Sequence, residues 1–160
     1  MPVSCTFTLN RRPMSSLLCP GFGGVHAFSG KGRYIDDPDS AKVVSAGAIP
    51  KGEYYIVDRE SGGHLGWLWD AVKDLLADTH RGEWFALYRY EQHIDDWMFV
   101  DGVRRGNFRL HPVGRSGESD GCITLSSREQ FKALRSYLKA QPPAFIPGTT
   151  TRYYGTIDVK

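Results

Sequence analysis

The chain has 160 residues and a mass of 17.9 kDa, which suits a single domain over 1–160 with a core that needs no metal or disulfide staple. Its 41% hydrophobic and 24% charged residues exclude wholesale disorder, and 20 Lys+Arg against 18 Asp+Glu is too even a balance for a protein held mainly by nucleic-acid phosphates. No run approaches the ~18 apolar residues of a membrane helix. The opening MPVSCTFTLN lacks a basic stretch followed by an apolar run, and the apolar part after Arg11-Arg12 is only a few residues long. The expectation is a chain made in the cytoplasm without a signal peptide.

In chain order, residues 3–9 alternate and are rich in β-branched and aromatic side chains, which predicts a strand. Gly21–Gly24 predicts a turn and 25–29 a second strand, and 30–40 reads as a polar loop. The Pro50-Lys51-Gly52 turn feeds a strand, GEYYIVD. Over 64–78 the period changes: Leu65, Leu68, Trp69, Val72, Leu75 and Leu76 recur at spacings of three and four, which predicts a helix. Residues 83–90 and 96–100 predict two strands. Asp101-Gly102 turns the chain, and 107–113 and 122–125 are two further strands. Ser126 with Glu129, or Ser127 with Gln130, caps a second helix whose apolar face is Phe131, Leu134, Tyr137 and Leu138, and Pro142-Pro143 stops it. A strand over 152–159 ends the chain. The sum is a β-rich α+β domain with two helices.

Chemistry concentrates in 108–125. His111 ends one strand, and Cys122, preceded by Gly121, opens another eleven residues later. A thiol attacks as its thiolate, and a neighbouring imidazole can take its proton. The amides of Gly121 and Cys122 would face a developing oxyanion. Gly117-Glu118-Ser119-Asp120-Gly121 matches the serine-hydrolase G-x-S-x-G elbow, but the preceding residues are not an apolar strand and no His follows. His26, His64, His80 and His93 have no metal-ligand spacing, so no metal and no cofactor is expected. Asp36-Asp37-Pro38-Asp39 reads as a solvated turn. Cys5 and Cys19 suit neighbouring strands and read as two small buried hydrophobes rather than a disulfide. Trp67, Trp69, Trp84 and Trp97 read mostly as core.

The segment His111…Ser119-Asp120-Gly121-Cys122-Ile123 resembles the His…Ser/Thr-His-Gly-Cys signature of L,D-transpeptidases, which share the YkuD-like β-sandwich or barrel. More closely, AFSGKGRY, SGGHLGWLWD, EWFALYR, IDDWMFVDGVRRGNFRLHP and SDGCITL resemble the Tlde1-like L,D-transpeptidase effectors delivered by type VI secretion, over roughly residues 22–159. The His-to-Cys spacing is shorter than in most housekeeping enzymes. Asp120 stands where they usually carry His, and Thr124 where an Arg often follows Gly-Cys-Ile.

The resemblance implies Cys122 as nucleophile and His111 as general base, with Ser119, or a backbone carbonyl near it, orienting the imidazole and Gly121 helping to form the oxyanion hole. It implies peptidoglycan tetrapeptide stems as substrate, a cognate immunity protein, a secretion-machine component and action in a target cell's periplasm. Arg104, Arg105, Arg109 and Arg115 lie within twelve residues free of acids. They are candidates for pairing stem carboxylates, with a solvated basic edge as the alternative. Arg33, Tyr34 and Asp120 are further substrate-contact candidates, and Ser29 reads as a shaper of the cleft wall. The rival functions are a non-catalytic wall-binding module on the same fold and a cysteine amidase or peptidase cutting another stem bond.

Overall fold

The computed structural model describes residues 2–59, 83–90, 96–114, 119–142 and 144–160. The predicted helix over 64–78, Arg115, His64, His80, His93, Trp67 and Trp69 lie outside the described residues. Among the described residues eleven strands are formed: β1 Val3–Phe7, β2 Ser15–Cys19, β3 Gly23–Phe28, β4 Gly52–Asp58, β5 Phe85–Arg89, β6 Trp97–Val100, β7 Val103–Gly106, β8 Arg109–Pro112, β9 Ile123–Leu125, β10 Ala144–Phe145 and β11 Arg152–Val159. The one α-helix among the described residues, α1, spans Arg128–Ala140.

Strand order β1-β2-β3-β9-β8-β5-β4-β11, with β11 pairing back onto β1, closes the sheet into a barrel. Closure leaves no open edge among these eight strands. Only β1–β11 and β8–β9 run parallel within it. β10 flanks β11, and β6–β7 stand apart as a two-stranded ribbon. Asp101 and Gly102 both take positive φ (48° and 79°), the backbone a two-residue hairpin needs to match strand twist. The Asp-Gly pair therefore makes a hairpin whose return strand, β7, sequence patterning alone did not separate from the loop.

Period-2 burial fills the barrel. Leu17, Ile56, Leu87, Leu110, Ile123, Leu125 and Ile157 are all at 2% exposure or less. Phe131, Leu134 and Leu138 of α1 join the same core. Ser127 is the helix N-cap, its hydroxyl accepting from the Gln130 N–H at 3.2 Å. Tyr137, expected on the buried face, reaches sideways instead, donating to the Pro20 carbonyl at 2.8 Å while its ring meets Phe22.

Two sequence expectations are corrected. Cys5 and Cys19 form a disulfide. The antiparallel register Thr6↔Leu18 sets these two buried cysteines opposite one another, with Cα atoms 4.2 Å apart. Asp36 is not a solvated residue. The turns Gly32–Tyr34 and Pro38–Ser40 fold the polar loop back on β3, leaving Asp36 at positive φ (52°) and fully buried. One carboxylate oxygen accepts the Ser29 N–H at 2.9 Å, and Oδ2 has no hydrogen-bond partner. Asp37 and Asp39 do face solvent, clasped by Arg11.

Candidate active site

The parallel pairing of β8 with β9 sets the geometry. Leu110 lies beside Ile123 and both enter the core, so the alternate residues, His111 beside Thr124, share the opposite face. Continuing the register by one residue brings Cys122 beside Arg109 on that same face. Cys122, in the turn just before β9, therefore stands next to the β8 strand that carries His111.

His111 is buried and closely held. Its Nδ1 is 2.7 Å from the Pro112 carbonyl. A carbonyl oxygen only accepts, so Nδ1 carries the hydrogen and Nε2 keeps the basic lone pair. Nε2 faces the buried Thr124 hydroxyl at 3.4 Å. The Trp84 indole stacks on the imidazole, with centroids 4.2 Å apart and planes at 20°. The π-face fixes the ring. The orienting carbonyl is that of Pro112. Ser119, expected to orient the imidazole, instead donates its buried hydroxyl to the Cys122 carbonyl at 2.8 Å, bracing the turn that carries the thiol.

Cys122 is half-buried and unbonded, its thiol donating to the Asn107 carbonyl at 3.7 Å. Burial pushes the thiol up to about 11, opposed by the Arg109 backbone N–H and guanidinium; Asp120 and Asp96 add to the rise. The resting sulfur is thus a neutral thiol near pH 7. Gly121 has φ of +103°, a backbone setting that strongly favours glycine. A Cβ there would lie 2.5 Å from Arg105 Nη2 and 3.1 Å from the Gly47 carbonyl. The Ser29 hydroxyl ties this turn to its surroundings, donating to the Gly121 carbonyl at 3.2 Å and accepting from the Ile49 N–H at 2.8 Å. Ser29 therefore braces the backbone of the turn that carries Cys122.

The expected substrate contacts separate. Arg109 is not open to a substrate carboxylate. Its two terminal nitrogens grip the two oxygens of Asp96, at 2.7 and 2.6 Å. The acid-free run 104–115 concealed this, because the acid arrives from the far side of the β6–β7 hairpin. Asp120 is exposed beside the thiol turn and pairs with Lys31 at 2.8 Å. That ion pair brings the turn bearing Arg33 and Tyr34 to the rim. There the Arg33 guanidinium donates to the Tyr34 hydroxyl at 2.8 Å. Arg104 stacks over the exposed Trp97 ring at 4.0 Å. Beyond the His111–Trp84 stack lies a pocket lined by Glu83, Trp84, Val113, Arg128, Phe131 and Lys132, among others. Among the described residues, no group of three His, Cys, Asp or Glu could hold a metal ion, and no helix is long and apolar enough to cross a membrane.

Asp36 reaches the site through Ser29, and burial raises its carboxyl to about 7, partly offset by the Ser29 N–H. Its folded value lies above its unfolded one, so between about pH 4 and 7 the unfolded chain binds fewer protons and stability falls as pH rises. Asp36→Asn supplies an uncharged group that tolerates positive φ. The melting temperature of the native chain is expected to fall by about 8–16 °C between pH 4 and pH 8 from this group, on the order of 4 kcal/mol. In Asp36→Asn that contribution vanishes; calorimetry across the range gives the comparison, and an unchanged slope in the variant would sink it.

The family model of the Tlde1 domain matches residues 23–149, a span that contains β3 through β10 together with His111, Ser119, Gly121 and Cys122. No curated protein and no solved structure matches the chain. With the matched span covering well over half of its 160 residues, the chain belongs to the Tlde1-domain family.

Proposed function

We propose that this protein is an antibacterial effector that edits peptidoglycan stem peptides through a thioester on Cys122, as an L,D-carboxypeptidase, an L,D-transpeptidase, or both. The observation that supports the reading is the parallel pairing of His111 on β8 with Thr124 on β9, which sets the turn carrying Cys122 at the start of β9 beside β8, with the basic Nε2 of His111 left on the side away from Pro112. Membership of the Tlde1-domain family supports it, given the chain's resemblance to type VI secretion effectors. The Cys5–Cys19 bond suits a protein that acts in an oxidising compartment such as the periplasm.

In this reading the substrate displaces the thiol from the Asn107 carbonyl, and His111 Nε2 takes the Cys122 proton. The sulfur attacks the carbonyl carbon of the diaminopimelate–D-Ala bond, forming C–S and a tetrahedral oxyanion that faces the Gly121 and Cys122 amides. The C–N bond then breaks. The imidazolium returns its proton to the D-Ala amine, which leaves, and the stem remains as a thioester. Water, deprotonated by the same Nε2, releases the tripeptide and restores the thiol. A D-amino acid or a second stem amine in place of water gives exchange or cross-linking. Arg33 and Tyr34 at the rim, together with Arg115, are proposed substrate contacts. Arg128 and Lys132 of the neighbouring pocket give stem carboxylates a cationic wall. A cognate immunity protein and a secretion-machine component are the proposed partners.

The test is incubation of the purified protein with disaccharide tetrapeptide, followed by mass spectrometry. Native protein is expected to yield tripeptide or a D-amino-acid exchange product, and Cys122→Ala neither. Absence of both products from the native protein, or equal yields from the variant, overturns the reading. A fragment cut at another stem bond would identify the amidase alternative.

A further inference from the structure

Arg105 stands out among the charged residues as a buried cation with no acid to match it. It lies on β7 opposite Met98, on the inward face of the β6–β7 ribbon, and is 3% exposed. Its guanidinium donates to two neutral acceptors, the Ala41 carbonyl and the Gly47 carbonyl, the latter at 3.0 Å. It also sits over the Phe108 ring at 5.4 Å. Among the described residues no carboxylate pairs with it. Yet its Nη2 packs directly beneath Gly121, within 2.5 Å of where a Cβ would stand, so the charge lies under the turn that presents Cys122.

Burial costs a cation its hydration, and carbonyl dipoles restore only part of that. Burial accordingly pulls the guanidinium down from its usual value, with the Tyr54 phenol and the Cys122 thiol acting the other way. Among the described residues, the charges that act on the sulfur are held in ion pairs. Arg109 on β8 is held by Asp96, which precedes β6, and Asp120 is held by Lys31. His111 on β8 is the base itself, and Tyr54 of β4 is a phenol. Among the described residues, Arg105 is the buried cation under the turn that presents Cys122 and has no carboxylate partner.

We propose that Arg105 is a positioning residue that seats the Gly121–Cys122 turn and supplies the fixed positive charge that stabilises the Cys122 thiolate and the oxyanion formed beside it. This deepens the reading of Cys122 as nucleophile and rests on it. The guanidinium is preorganised because its carbonyl partners and the Phe108 ring fix it before any substrate arrives, so little reorganisation is needed when negative charge appears.

The test reads the thiol itself. With Cys5 and Cys19 bonded, Cys122 is the single free thiol of the three cysteines. Its alkylation by iodoacetamide is followed from pH 6 to pH 10.5 in the native full-length protein, Arg105→Lys and Arg105→Met. Both variants lose carbonyl hydrogen bonds and are expected to melt earlier. Arg105→Met alone is expected to alkylate about tenfold more slowly at pH 8, corresponding to a thiol shifted upward by about one pH unit. Arg105→Lys should stay within about threefold of native. If Arg105→Met does not fold, Arg105→Gln, which keeps an amide donor without the charge, takes its place. Equal alkylation by the charged and uncharged variants overturns the proposal. The assay needs no peptidoglycan, so its outcome is independent of whether tetrapeptide is the substrate.

Discussion

His111→Ala is expected to convert tetrapeptide to tripeptide about 10²–10⁴-fold more slowly than the native protein, the usual contribution of a positioned general acid–base. The loss should fall on kcat, with KM little changed, because in the proposed mechanism the ring transfers the proton, and it lies on the face of β8 opposite the core residue Leu110. Its pH profile should also change. The native rate should show an ascending limb as Nε2 loses its proton, and the variant should lose that limb and track the thiol, whose burial places it near 11. Steady-state kinetics between pH 5 and pH 9.5 measure both effects. A variant retaining the native rate and profile would remove His111 from the mechanism. Trp84 contributes by stacking, so its loss should weaken the reaction less than loss of the imidazole.

Breaking the Cys5–Cys19 bond is expected to lower stability substantially. The bond closes a short loop, with a sequence separation of 14, which the chain-entropy account equates with about 3 kcal/mol. Cys5→Ala/Cys19→Ala, or reduction of the native protein, is expected to lower the melting temperature by about 6–12 °C. The bond joins β1 to β2, and β1 also closes the barrel through its parallel pairing with β11. Loss of the cross-link should therefore loosen the barrel seam before the β8–β9 centre. Scanning calorimetry with and without reductant, using Cys122→Ala as the background so that no free thiol exchanges, measures the difference. Identical melting of oxidised and reduced protein would refute it.

The sequence made the local elements legible. The Pro50-Lys51-Gly52 turn ahead of the β-branched and aromatic run GEYYIVD marks β4, and RYYGTIDV marks β11, both at their observed bounds, while the Ser126-Ser127 pair marks the start of α1. These signals are carried by residues within one turn or strand of each other. What escaped depends on residues distant in sequence. Asp96 reaches Arg109 only because the Asp101-Gly102 hairpin folds back, and Asp36 is buried only because its loop packs against Ser29. The disulfide likewise depends on a register that composition does not encode. The two-residue strand β10 lacks the length to show a period.

The candidate site was half legible. The identities of Cys122 and His111 stood out by residue type and spacing, and Gly121 by its place before the thiol. The partners that tune them did not. Asn107 and Pro112 act through backbone carbonyls, which no side-chain pattern reports. Arg105 was one of four arginines of similar appearance, separated from Arg104 only by the alternation that buries one and exposes the other on the ribbon. A reading of β6 and β7 as a two-residue hairpin would have found that difference.

Covalent capture of substrate tests the account most directly. Protein mixed with excess disaccharide tetrapeptide and quenched in acid within seconds is examined by intact-mass and peptide-level mass spectrometry. The account predicts an adduct equal to the disaccharide tripeptide less one water, located on the peptide containing Cys122 and removed by hydroxylamine. Turnover accompanied by an adduct on any other side chain, or turnover that persists in Cys122→Ala, would contradict it.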